Sequence, residues 1–214
     1  MNGRPLILTS VSENADAIVE AWFLGTESGH AIADILFGAV SPSGKLPVSF
    51  PRSGGQIPVY YNHKSTGRPI ADSDRFTSRY LDVPNTPLYA FGYGLSYASF
   101  KYDNLRLSSA SIAKNQNIRV TIDVENTGKR TADEIVQLYV QDEVASIARP
   151  VEELKGFRRI TLRPGEKQSV GFTLTTDDLS FYGQSMQKIV EPGEFKVFVG
   201  GNSVDLLETR FVLQ

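Results

Sequence analysis

Serine, histidine and carboxylate side chains come close to a hydrolytic set in the first half of this chain. Gly94-Leu95-Ser96-Tyr97-Ala98 loosely mimics a Gly-x-Ser-x-Gly nucleophile elbow, with Ala in place of the last Gly. An ester hydrolase built on it would need His63 and an acid such as Asp82 to converge on Ser96. The elbow also requires a strand before the serine and a helix after it. The residues after Ser96 have strand-type alternation, so a structural role for the motif is favoured, and a small promiscuous ester hydrolase stands as the alternative.

Charged and aromatic side chains gather between Tyr60 and Asp82, where Tyr60, Tyr61, His63, Lys64, Arg68, Asp72, Asp74, Arg75, Arg79 and Tyr80 lie. A solvated surface loop carries the same residue types, so the cluster by itself assigns no chemistry. The two histidines, His30 and His63, are far apart and no cysteine accompanies them, so no zinc motif forms. Asp72-Ser73-Asp74 has the spacing that opens a calcium loop but lacks the rest of that motif. No cofactor or metal is expected. Lys155, Arg158 and Arg159 are flanked by Glu152 and Glu153, which reads as a mixed-charge surface rather than a phosphate site.

The 214 residues carry a formal charge of −2, from 22 basic and 24 acidic groups. Such a balance gives no global field toward nucleic acid or an anionic membrane. No apolar run approaches bilayer length. The first residues, Met1-Asn2-Gly3-Arg4-Pro5, show no signal-peptide pattern. Absence of cysteine does not separate cytoplasm from periplasm or the extracellular space.

The elements that must position these groups fall into two textures. Residues 4–9 read as a short buried strand, and 15–23 as a strand buried on both faces. Residues 26–37 read as a helix with the apolar stripe Ala31, Ile32, Ile35 and Leu36, stopped by Gly38. Ser41-Pro42-Ser43-Gly44 makes a turn, and 45–50 another strand. Residues 51–87, rich in Gly, Pro, Ser, Asp and Arg, read as a loop whose length implies binding or linking.

Beyond Phe100 the pattern is all-β. Ile118, Val120, Ile122 and Val124 alternate with Arg119, Thr121, Asp123 and Glu125. Val136, Leu138 and Val140 repeat the period, as do Val170, Phe172 and Leu174, then Phe195, Val197 and Val199, then Phe211 and Leu213. Turn residues separate them at Pro164-Gly165, Pro192-Gly193 and Gly200-Gly201-Asn202. Six or seven short strands without a helix predict an immunoglobulin-like or fibronectin type III-like β-sandwich, and this part is expected to be stable on its own. The whole is an α/β remnant followed by all-β. A partial α/β sandwich with few strands and one or two helices occupies residues 1–50, a loop and linker 51–100, and the β-sandwich 101–214.

Several motifs, in this order, resemble the C-terminal portion of family 3 glycoside hydrolases, the β-glucosidases and β-xylosidases. They are Asn2-Gly3-Arg4-Pro5-Leu6, Ala21-Trp22-Phe23-Leu24-Gly25, and the run from Gly29 to Gly38. Pro42-Ser43-Gly44-Lys45-Leu46-Pro47-Val48-Ser49-Phe50-Pro51 comes next, then Pro87-Leu88-Tyr89 with Phe91-Gly92-Tyr93-Gly94-Leu95-Ser96-Tyr97. Pro150-Val151-Glu152-Glu153-Leu154-Lys155-Gly156-Phe157 and Glu191-Pro192-Gly193-Glu194-Phe195 complete the set.

The resemblance implies a parent enzyme whose barrel holds an Asp nucleophile and whose α/β sandwich supplies an acid/base Glu, both expected to lie outside this chain. A retaining glycosidase needs its two carboxylates roughly 5 Å apart, so the chain is expected to be a non-catalytic, structural portion. The implied partners are the N-terminal catalytic domains and the β-glucoside or oligosaccharide substrate of the parent. Within the parent, Tyr60, Tyr61, His63, Arg68, Arg75, Arg79 and Tyr80 become candidate substrate-binding residues. A carbohydrate- or protein-binding module is the other alternative. An α/β part lacking its neighbours is expected to self-associate or to be partly disordered over residues 1–50.

Overall fold

The computed structural model describes residues 2–65, 67–68 and 76–214. Two antiparallel sheets face each other in the C-terminal half. One has the order β1 (Phe100–Leu107), β3 (Ile118–Asn126), β6 (Lys167–Leu174). The other runs β2 (Ser111–Ile112), β10 (Leu206–Leu213), β9 (Gly193–Gly200), β4 (Ala132–Asp142), β5 (Glu153–Leu162), with only the short β2 parallel to its neighbour. A small ribbon of β7 (Phe181–Tyr182) and β8 (Lys188–Ile189) closes one side.

The alternation read from the sequence is the packing pattern. Ile118, Val120, Ile122 and Val124 are fully buried, and they meet Val136, Leu138, Val140, Leu162, Phe172, Val197 and Val199 in one core. Phe195 and Phe211 stack at 5.4 Å across the β9–β10 pair. A single helical turn, α3 (Thr176–Leu179), interrupts the all-β texture. Thr175 and Asp178 make a reciprocal capping box there, each side chain accepting from the other's backbone N–H.

The first fifty residues form less regular structure than the apolar runs predict. Where a strand is expected over 4–9, the chain is irregular and turns into a short helix, α1 (Thr9–Asn14). The expected strand at 15–23 is absent, and Trp22 takes a positive φ of 50°, incompatible with an extended run. The run 45–50 yields only an isolated bridge, Phe50 to Tyr89. A strand exists only by pairing, and no ladder partner stands beside these segments among the described residues. The predicted helix is present as α2 (Ser28–Leu36), with no buried residue on it.

Point contacts hold this half together. Trp22 packs on Phe50, Phe50 on Tyr89, and Tyr89 on Tyr93, with ring centroids 5.4–6.4 Å apart. Leu46 donates to Tyr93 O at 2.8 Å and Gly92 donates back to Leu46 O at 2.7 Å. The base of the long loop is pinned by buried Gln56, whose Nε2 donates to Pro84 O at 2.7 Å while its Oε1 accepts from Arg52 N–H.

Candidate functional site

The polar chemistry of this chain concentrates where the segment before Phe100 lies on the second sheet. Strand β4 is buried on both faces. Val136, Leu138 and Val140 point into the sandwich; Gln137 and Tyr139 point outward and are covered by the strap of residues 91–94 and by Tyr61. Gln137 Nε2 donates to Gly201 O at 2.6 Å and Gly92 O at 3.2 Å, and its Oε1 accepts from the Tyr139 hydroxyl at 2.5 Å. Burial pushes the Tyr139 phenol well above its ordinary range, keeping it a donor.

One end of the sandwich is plugged by an ion pair. Lys45 Nζ lies 3.1 Å from Glu134 Oε1 and also donates to Gly94 O at 3.1 Å. The same Glu134 oxygen accepts from Tyr102 of β1 at 2.8 Å. Both charged side chains are largely out of water, at 14% and 5% exposure. Burial, reinforced by the Glu134 charge, raises the Tyr102 hydroxyl far above the usual phenol range. One buried cluster thus links the strap and both sheets.

The root of the long loop is fastened to the other end of β4. Tyr61 stacks on Phe91 at 4.2 Å and meets Tyr139 edge-on at 5.7 Å, and its hydroxyl oxygen accepts from Leu154 N–H. Val151 N–H donates to His63 O at 2.9 Å, beside a backbone bridge between Lys64 and Pro150. Next to this seam Arg149, one-tenth exposed, lies over the Phe181 ring and donates to Glu153 at 2.6 Å. Asp142 approaches Arg149 to 3.9 Å, and burial raises its carboxyl despite that neighbour.

The candidate hydrolytic residues do not form a relay. Ser96 Oγ is 3.0 Å from Ser41 Oγ and accepts from Ala98 N–H at 3.2 Å. His63 Nδ1 faces Lys64 O, and Asp82 is exposed. No helix follows Ser96; after a bend the chain enters β1. His30 sits on the exposed face of α2 against Glu27 at 2.7 Å. Of the candidate binding residues, Tyr61 has one ring face covered by Phe91, while Tyr60, Arg79 and Tyr80 are exposed. Arg68 is exposed, with its carbonyl accepting from Ser78 N–H. Asp72, Asp74 and Arg75 lie outside the described residues.

Residues 1–97 match the model of the glycosyl hydrolase family 3 C-terminal domain, and residues 134–203 match the fibronectin type III-like domain. The chain belongs to the C-terminal portion of glycosyl hydrolase family 3. Among family members, the periplasmic β-glucosidase of Salmonella typhimurium is 51% identical over all of this chain, which spans 28% of that enzyme's length. A β-xylosidase of Formosa agariphila is 46% identical over 95% of the chain, spanning 27% of its length. A crystal structure of the β-glucosidase from Listeria innocua in complex with gluconolactone superposes with a TM-score of 0.95 at 44% identity, covering 99% of this chain and 30% of that one.

Lys45, Glu134 and Gln137 are the site residues that sequence reasoning missed. Lys45 was visible within the family motif Pro42 to Pro51, but not its buried partner. A signal for Gln137 existed: Ile135 and Tyr139 flank it on the outward face of β4, so that face too is apolar and must be covered.

Proposed function

We propose that this chain is the C-terminal scaffold of a β-glucosidase-type enzyme and does not cleave glycosides by itself. The supporting observation is how its acidic groups are used: Glu134 neutralises Lys45, Glu153 holds Arg149, and Asp133 holds Arg159 and Thr161. These carboxylates fasten segments together and do not face one another across an open cleft. The strap, Lys45 and the loop root at Tyr61 and His63 are tied to the sandwich, while α2 and its surroundings leave Phe23, Leu36 and Phe37 at 80%, 63% and 88% exposure. A surface of that kind suits packing against further protein. The partners in this reading are the catalytic domains of the parent, and the scaffold's task is to buttress them and carry the long loop toward the substrate entrance. The division at residues 50 and 100 remains part of the same proposal. Tyr60, Arg79 and Tyr80 are the loop side chains we would place against the substrate, because they are exposed.

The test is an aryl-β-glucoside assay on the purified 214-residue chain, with host glycosidases removed. No turnover is expected. Turnover that copurifies with the chain and disappears on mutating one of its own carboxylates overturns the reading. A parallel assay on short p-nitrophenyl esters, comparing the chain with Ser96→Ala, decides the ester hydrolase alternative.

A further inference from the structure

The seam between the root of the long loop and the β4–β5 connection contains a carboxylate that no described residue pairs. Val151 N–H reaches His63 O, and Leu154 N–H reaches the Tyr61 hydroxyl; these two amides fasten the loop root. Glu152 and Glu153 stand between them. Glu153 takes Arg149 at 2.6 Å and Lys155 at 3.7 Å, whereas Glu152 has no hydrogen bond or ion pair among the described residues. Glu152 is only partly exposed, and its charge reaches both phenols of the seam, Tyr61 from the loop and Tyr139 from β4. Among the described residues the other ionisable groups are, from the loop side, the exposed His63, whose Nδ1 faces Lys64 O, and Lys64 itself; from the connection, Arg149, Glu153 and Lys155; and from β4, Asp142, which Arg149 approaches to 3.9 Å.

An ionised carboxylate in such a place costs free energy that a neutral carboxyl does not. We propose that the seam is a pH-released latch: with Glu152 neutral the loop root at Tyr61 and His63 stays fastened to the β4–β5 connection, and with Glu152 ionised the fastening loosens. Burial alone raises this carboxyl from 4.5 to about 7. The closed latch is therefore favoured below 4.5 and loses that advantage as pH rises through 7. The ceiling on the change in opening equilibrium is about 300-fold; solvent access lowers it, and at least a tenfold change is expected.

The latch belongs to the chain itself and its test does not depend on the parent's activity. Amide hydrogen exchange on the 214-residue chain, corrected for intrinsic rates, is compared at pH 5 and pH 8. The Val151 amide reports the seam, and the β3 amides report the core. The expected result is a tenfold or greater loss of Val151 protection at pH 8, β3 amides that stay better protected than Val151 at both pH values, and a flat Val151 response in Glu152→Gln. His63→Gln should keep the wild-type response; loss of the response in that variant assigns it to His63 and overturns the proposal. Equal responses in wild type and Glu152→Gln, or Val151 protection no lower than that of the β3 amides at pH 8, also overturn it.

Discussion

Gly92 and Gln137 fit together so tightly that a β-carbon on Gly92 would stand 2.1 Å from Gln137 Oε1. Gly92 also holds φ at +76°, a conformation that L side chains resist. Its carbonyl accepts one of the two hydrogen bonds of Gln137 Nε2. Gly92→Ala should therefore destabilise the chain by about 2–4 kcal/mol, combining backbone strain with displacement of a buried amide. Urea unfolding of Gly92→Ala, Gln137→Ala and the double variant measures this. The losses should be non-additive, because removing the amide relieves the clash.

Lys45 and Glu134 are a buried pair, and breaking one differs from replacing both. Lys45→Met leaves the Glu134 carboxylate with Tyr102 as its one hydrogen-bond partner among the described residues, and a loss of about 3–5 kcal/mol is expected. Lys45→Met combined with Glu134→Leu should recover much of it. Equal destabilisation by single and double variants would refute the pairing as the cause.

Phe23 and Phe37 stand in water at 80% and 88% exposure, near an α2 with no buried residue. The chain is expected to self-associate through this face. Light scattering across a concentration series should show mass rising with concentration, and Phe23→Glu with Phe37→Glu should hold it at the monomer value. A concentration-independent monomer for the wild-type chain refutes the prediction.

Asp133 gives the opposite pH dependence to Glu152. Its carboxylate accepts from Thr161 Oγ1 at 2.6 Å and from Arg159, and these bonds, Thr161 first, hold its carboxyl below the usual 3.8. The contribution is present above 3.8 and is lost as pH falls toward the lowered value. Arg159 also donates to Ser43, so acid should loosen the hold of the sandwich on the turn at residues 41–44. Asp133→Asn should flatten the acid side of a thermal-stability profile by lowering stability at neutral pH, while the two chains converge in acid, where the wild-type carboxyl is protonated.

The sandwich was legible because its signal is local: Val120, Ile122 and Val124 alternate within one strand, whatever lies elsewhere. The strands expected over 4–9 and 15–23 were not borne out, because an apolar run supplies a face but not a ladder partner. Nor did alternation reveal the strap. Gln137 is a polar residue at an outward position, and only its neighbours Ile135 and Tyr139 hint that another part of the chain covers it. Ser96 and His63 lie in recognisable sequence, yet their bonds go to Ser41 and Lys64, a matter of tertiary placement that spacing does not encode.

Because β4 has an interior on each side, cutting the chain at Ser99 would not liberate a finished module. Tyr139 and Gln137 would be stripped, and Glu134 would lose its counter-ion. A fragment meant to preserve the fibronectin-like half should start ahead of Ser41, carrying its own lining with it.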